Sequence, residues 1–247
     1  MTAAAGWDIF AGGPAVAVMT PDEAETVAAA VHAARDAWTE RRPFAAQHHT
    51  FHTLGAATYL DPPAAYAAGA AATGPLLRAR FGDLLARVCN AVEAATGAPV
   101  QLADGLAPPG FHIYRGNSAA PTGLRFGGTV HVDTPHRRHA FAFPVAATLS
   151  FTLPVALPRA GGGMFWWRDV PSDLLQASAL PLAMAPDAFA WFDVHKRHLA
   201  YKAGAMVLHD GTMVHQVAND RPTADDEWRI TLQGHGVRGG GAWHIYF

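Results

Sequence analysis

A single cysteine, Cys89, stands among the 247 residues. No internal disulfide can form, and no cysteine-rich zinc site can be built. Charge is sparse: 15% of the residues are charged and the formal net charge is −2. A basic surface for nucleic acid or anionic membrane is therefore not expected. No lysine or arginine precedes Arg35, so the charged start of a secretory signal is missing. Apolar stretches are broken by Pro, Gly or charge before they reach membrane-spanning length. The expectation is a soluble, cytoplasmic protein with no nucleic-acid or membrane partner. Lysine is scarce as well. Lys196 and Lys202 stand against 14 histidines, a balance that invites a search for metal ligands. Most of the 14 are expected to be ordinary surface or hydrogen-bonded histidines. Half the residues are hydrophobic, which excludes disorder. The length suits a single domain, residues 1–247, with a core that needs no cross-link.

The chain changes character near residue 110. Before it the pattern is mainly helical. Thr20, Pro21 and Glu23 form a capping box with proline at the first helical position, opening a helix to about Glu40. A strand at 15–19 precedes it, and residues 48–60 read as irregular. A second helix covers about Pro75 to Thr96. Leu77, Phe81, Leu84, Leu85, Val88 and Val92 share its apolar face, and Gly97 is the expected C-cap. Cys89 lies beside that face as a packed thiol.

From residue 111 the period falls to two. Strands are expected at 111–114, 129–133, 147–155, 164–167, 189–193, 205–208, 213–218, 228–233 and 243–247. Residues 115–128 form a glycine-rich loop that could serve as a lid or as plain surface. Many short strands with turns point to a sandwich, jelly roll or barrel. Helices followed by a β run predict an α+β protein, its helices packed on one side of the β core.

His131-Val132-Asp133 places an imidazole and a carboxylate on one face of a strand. A 2-His-1-carboxylate metal site needs that arrangement. Chance alone provides about one His-x-Asp/Glu match in a chain of this composition, so context decides. That context lies some 80 residues on. His209-Asp210-Gly211 reads as a turn, His215 follows on the next strand, and Arg229 and Thr231 share a face of the strand after it. A competing register pairs His209 with Arg221-Pro222-Thr223. Pro222 cannot donate to a strand ladder, which disfavours it and leaves His209 a structural or supporting role.

With His131-x-Asp133, His215 and Arg229-x-Thr231 in order, and Gly161-Gly162-Gly163 before a strand between them, the chain resembles the Fe(II)/2-oxoglutarate-dependent dioxygenases over about residues 111–238. The resemblance implies a double-stranded β-helix, a cupin-like jelly roll, in 111–247, with 1–110 as its helical part. It implies Fe(II) held by His131, Asp133 and His215, which would be the catalytic centre. 2-Oxoglutarate would be held by Arg229 and Thr231, with Tyr114 as a weaker candidate, and O2 would be the oxidant. The implied reaction hydroxylates a C–H bond of a small molecule and releases succinate and CO2; some members of the family desaturate, cyclise or epimerise instead. Asp133 as the carboxylate argues against halogenation. Two readings compete: a zinc-dependent hydrolase, and a non-enzymatic metal-binding jelly roll. Neither gives Arg229-x-Thr231 a task. Arg137 or Arg138, and Trp166, Trp167 or Trp191, are further candidates for meeting a substrate.

Overall fold

The computed structural model describes residues 15–41, 51–116, 130–172, 174, 186–218 and 224–247. Strand β1 (Ala15–Ala17) leads into helix α1 (Pro21–Ala33). The capping box forms as expected: Glu23 N donates to Thr20 Oγ1 and Thr20 N donates to Glu23 Oε2. The helix ends earlier than its pattern suggests. A 3-10 turn (Arg35–Ala37) and strand β2 (Thr39–Arg41) replace its last turns. Strand β3 (Phe51–Leu54) lies in the stretch read as irregular. Helix α2 (Pro63–Thr96) begins well before the expected Pro75, which sits inside it. The alanine-rich run 64–72 has the propensity to carry the helix through, and buried Tyr66 anchors that turn. The helix axis breaks at Phe81 (φ −124°), and Gly97 closes it in the left-handed conformation (φ 67°).

The β elements continue with β4 (Val100–Leu102), β5 (Gly110–Arg115), β6 (Ala147–Ala156) and β7 (Gly163–Trp167). Helix α3 (Pro186–His195) follows. Then come β8 (Arg197–Ala200), β9 (Ala205–Asp210), β10 (Val214–Val217), β11 (Trp228–Gly239) and β12 (Ala242–Tyr246). The strand expected at 189–193 is therefore helix, and β8 is a strand the pattern did not announce. A short apolar run cannot by itself distinguish a buried strand from a helix turn.

Nine strands form one sheet in the order β1-β9-β6-β11-β5-β3-β2, with β12 on β11 and β4 on β12. Three form a second sheet, β10-β7-β8. The first part of the chain thus supplies β1 to β4 to the large sheet and is not simply helical. The twelve-residue β11 pairs with β5 along its first half and β12 along its second. Against β6 its register shifts between Ile230 and Thr231. Pro154 sits at that shift, the kind of interior position that tolerates proline.

Alternation divides the large sheet. Phe111, Ile113, Leu149, Phe151, Leu153, Met206, Leu208, Ile230 and Leu232 point to one face and form the main core with α1 and α2. The helices pack on that side, as the composition shift predicts. The other face is polar and looks toward the small sheet, which touches it through Met164, Trp166, Tyr201 and Val207. Helix α3 covers the far side of the small sheet, where Trp167, Val130, Val214 and Phe192 pack. No helix among the described residues is long and apolar enough to cross a membrane.

Two predictions test this packing. A Cβ at Gly110 would lie 2.7 Å from the Leu54 carbonyl oxygen and nearer still to the Phe247 ring. Gly110→Ala is expected to destabilise by about 1–3 kcal/mol, lowering the melting midpoint by several degrees; an unchanged midpoint would show that the contact is relieved cheaply. Glu23 is held down to about 2, from an ordinary 4.5, by Arg87 on α2 and then by the Thr20 backbone. The depressed value means that its stabilisation is present above pH 4.5 and is lost as pH falls toward 2. The stability gap between wild type and Glu23→Gln, read from denaturant midpoints, should shrink between pH 7 and pH 3. A constant gap would mean that the contact is not ionic.

Candidate metal centre

Turn chemistry delivers the first two side chains. Asp210 Oδ1 accepts from Thr212 N (2.7 Å) and Thr212 Oγ1 (2.8 Å), and Met213 N closes the turn on Asp210 O. β10 leaves this turn with His215 facing the large sheet, beside its register partner Trp166. His131 exchanges both backbone hydrogen bonds with His215, each 2.9 Å. Asp133 N donates to Gly211 O (2.9 Å). A Cβ at Gly211 would meet Thr148 Oγ1 at 2.7 Å, so glycine lets this turn lie close against β6. The full strand expected at 129–133 is, within the described residues, one bridge at His131. Asp133 turns to Gly211 instead, and Pro135 ends the pairing.

His131, Asp133 and His215 bring one ligand atom each within 4.8 Å of one another. His131 Nε2 is 3.6 Å from Asp133 Oδ1, and His215 Nε2 is 3.6 Å from Asp133 Oδ2. His215 Nδ1 meets Met213 O at 2.9 Å. That contact puts the ring proton on Nδ1 and leaves the Nε2 lone pair facing the carboxylate, the second-sphere pattern of a ligating histidine. Burial opposes ionisation of Asp133. The imidazoles of His215, His235, His131 and His209 outweigh it and hold the carboxyl well below its usual range. Burial pushes His215 down to about 3, so its ring is neutral near pH 7, as metal ligation requires.

His209, buried with Nδ1 on Asp210 O (2.9 Å), packs tilted against His215 with ring centroids 4.5 Å apart, a supporting position. Arg229 and Thr231 lie on the polar face of β11 as alternation predicts, both buried. Tyr114 is the register partner of Arg229. The guanidinium lies over the rings of Tyr114 (5.7 Å) and Tyr201 (5.8 Å), and its Nε is buried without a hydrogen-bond partner. Arg221 and Thr223, the competing register, lie outside the described residues, as does most of the glycine-rich loop. Of the three tryptophans, Trp166 faces the centre. Trp167 turns away and donates to Phe192 O (2.7 Å), and Trp191 stacks on His195 (4.4 Å). Arg138 is occupied with the Thr58 carbonyl (2.7 Å).

Four groups beside the centre were missed. His235 sits on the same face of β11, its Nδ1 3.0 Å from Ser150 Oγ and 3.9 Å from Asp133 Oδ2. Carrying the alternation of Arg229 and Thr231 four residues further would have found it. His112, opposite Thr231, has the same parity as Tyr114. Tyr59 and Tyr201 come from connections and leave no periodic signal. The segment holding Tyr59 is pinned by Asp61, which pairs bidentately with Arg41 and accepts from Ala57 N (2.9 Å).

No family model and no curated protein matches the chain. Solved structures do. The non-haem alpha-ketoglutarate (2-oxoglutarate) dependent carbocyclase SnoK from nogalamycin biosynthesis superposes with a TM-score of 0.53 at 13% identity, covering 98% of this chain and 95% of that one. The epimerase SnoN of the same biosynthesis gives 0.51 at 16% identity over 92% and 80%. The chain has the fold of the 2-oxoglutarate-dependent non-haem iron enzymes. At these identities the likeness concerns architecture, and the chemistry has to be argued from this chain's own side chains.

One contact beside the centre is directly testable. Burial pushes His112 down to about 3 and Tyr59 well above its ordinary value. Both are therefore neutral, and the Tyr59 phenol donates to His112 Nε2. Tyr59→Phe leaves that nitrogen buried and unpaired, at a cost of about 1–3 kcal/mol. The denaturant midpoint should fall with the slope unchanged; an unaltered midpoint would show that His112 finds another partner.

Proposed function

We propose that the chain is an Fe(II)- and 2-oxoglutarate-dependent oxygenase that hydroxylates a C–H bond of a small molecule, built as one domain on a double-stranded β-helix. The observation that carries this reading is the pairing of two sites on one interlayer space. Two imidazoles and a carboxylate converge within 4.8 Å. A buried arginine with an unpartnered Nε lies on the facing sheet.

The donor set fits the metal. Two nitrogens and one carboxylate oxygen from adjacent segments suit a facial triad for non-haem Fe(II). What iron and 2-oxoglutarate would supply there is oxidation of a C–H bond by O2, with loss of succinate and CO2. His131, Asp133 and His215 would hold the metal. Arg229 would take the far carboxylate of the co-substrate through its planar fork, with Thr231 adding a hydroxyl. Tyr201 and Tyr114 wall the guanidinium in and keep water from it, which strengthens a charge-assisted hydrogen bond. Thr152 lies in hydrogen-bonding reach of the Tyr201 phenol, fixing that wall. A zinc hydrolase would leave Arg229 buried without a task.

The test is an anaerobic titration with Fe(II) and then 2-oxoglutarate, following the visible charge-transfer absorption of the chelate. The band is expected in wild type and absent in His215→Ala. Arg229→Ala should retain metal affinity but need roughly tenfold or more 2-oxoglutarate. Folded protein that binds metal yet shows no band would overturn the oxygenase reading and favour hydrolysis at zinc.

A further inference from the structure

Four imidazoles surround the Asp133 carboxylate, and two of them have their tautomer fixed by a carbonyl. His215 Nδ1 meets Met213 O at 2.9 Å, and His209 Nδ1 meets Asp210 O at 2.9 Å. A carbonyl oxygen accepts and never donates, so both neutral rings carry their proton on Nδ1 and a lone pair on Nε2. Neither Nε2 can donate to a carboxylate. His235 is held differently. Its Nδ1 lies 3.0 Å from Ser150 Oγ and 3.9 Å from Asp133 Oδ2. A hydroxyl can accept or donate, so Ser150 leaves the tautomer open. The negative charge of Asp133 on the Nδ1 side decides it in favour of an Nδ1–H.

The ring is also fixed in place. Register sets His235 beside Ser150 on β6 and Tyr246 on β12. The Tyr59 ring meets it edge-on, with centroids 5.7 Å apart and planes at 84°. His235 is buried, and its Nε2 has no hydrogen-bond partner among the described residues. Nδ1 is therefore the atom through which this ring reaches its surroundings. Asp133, by contrast, can turn. The last torsion of an aspartate joins an sp3 to an sp2 carbon and is soft. Its oxygens are divided between neighbours, Oδ1 3.6 Å from His131 Nε2 and Oδ2 3.6 Å from His215 Nε2. The His235 nitrogen stands about 1 Å outside hydrogen-bonding range of Oδ2, a gap that a turn of the carboxylate closes.

We propose that His235, anchored by Ser150, is a positioning residue for the metal centre, its Nδ1–H donating to Asp133 Oδ2 and fixing the plane in which the carboxylate meets the metal. A hydrogen bond to a carboxylate is stronger than one between neutral groups. This one comes from the large sheet, whereas His131 and His215 belong to the small sheet and its bridge. It thus ties the carboxylate to both layers. Partners that orient a ligating side chain change metal affinity by about 10–100-fold when they are removed. The assignment rests on the metal-centre reading and holds whether the bound ion serves oxidation or hydrolysis.

The experiment is anaerobic calorimetric titration of the metal-free full chain with Fe(II), in wild type, His235→Asn, His235→Gln and His235→Leu. An asparagine amide places its N–H near the position of Nδ1, and a glutamine amide places it near that of Nε2. The asparagine variant is expected to bind Fe(II) as wild type does. The glutamine and leucine variants should bind it roughly tenfold or more weakly. Melting midpoints of the metal-free variants are read alongside. A histidine that merely fills space would lower the midpoint in all three and leave the affinity of the folded protein unchanged. Both amides are polar, so the contrast between them stands even if the leucine variant fails to fold. Equal affinity throughout, or rescue by glutamine in place of asparagine, would overturn the proposal. Wild type that binds no Fe(II) would overturn it together with the metal-centre reading. Fe(II) binding with the expected order of variants, but no absorption band on adding 2-oxoglutarate, would support it and overturn the oxygenase reading alone.

Discussion

Burying a carboxylate between two β-sheets is costly unless positive or hydrogen-bonding groups surround it, and the Asp133 side chain, 15% exposed, is largely withdrawn from water in this way. Imidazoles from both layers surround it. His215 and His131 come from the small sheet and its bridge, His235 and His209 from the large one. The two pairs are held differently. The small-sheet rings approach with Nε2 at 3.6 Å, whereas His235 stands 3.9 Å away with its Nδ1 on Ser150. Ser150 lies in register between His209 and His235 across β9, β6 and β11. A row of polar groups on the large sheet thus faces a row on the small sheet, with the carboxylate between them.

That arrangement requires the large sheet to present opposite characters on its two faces. Period-two alternation provides this without special devices. Ile230 and Leu232 enter the helical core, while Arg229, Thr231 and His235 enter the interlayer space. The cost of alternation is that a one-residue slip of β11 would exchange the two sets. The strand is secured on both edges, by β5 and β12 on one side and by the long β6 on the other. The register shift near Ile230 is confined to the β6 edge, so Arg229 keeps its place opposite Tyr114.

This explains what was legible in the sequence. His131, Asp133, His215, Arg229 and Thr231 sit on or beside strands, where parity fixes direction, and the structure brings the first three together and puts the last two on the facing sheet. The helices on one side were legible from the apolar stripe Leu77 to Val92. The early start of α2 was not, because Pro75 is a stop signal only where packing does not override it. Residues 189–193 misled because four consecutive apolar or aromatic positions, Phe189 to Phe192, satisfy strand and helix alike. Tyr59 and Tyr201 were invisible for a different reason. Each is delivered by a connection whose path depends on tertiary contacts, the Asp61–Arg41 pair in one case and the Tyr201 N to Gly162 O bond (2.7 Å) in the other.

The same distinction governs how the two ends of the interlayer space can differ in kind. At the Arg229 end the guanidinium is buried and roofed by Tyr114 and Tyr201. A charge placed so deeply demands a specific partner of fixed size. At the Arg168 and Arg197 end the charges are exposed over a single buried indole, where solvent screens them. A ligand of one size and shape suits the first environment, and the second sets no such demand. The strand β7 that joins them is short and central to its sheet. Changes of residue at its exposed end can therefore be accommodated while His215 and Arg229, fixed by the registers of β10 and β11, keep their places.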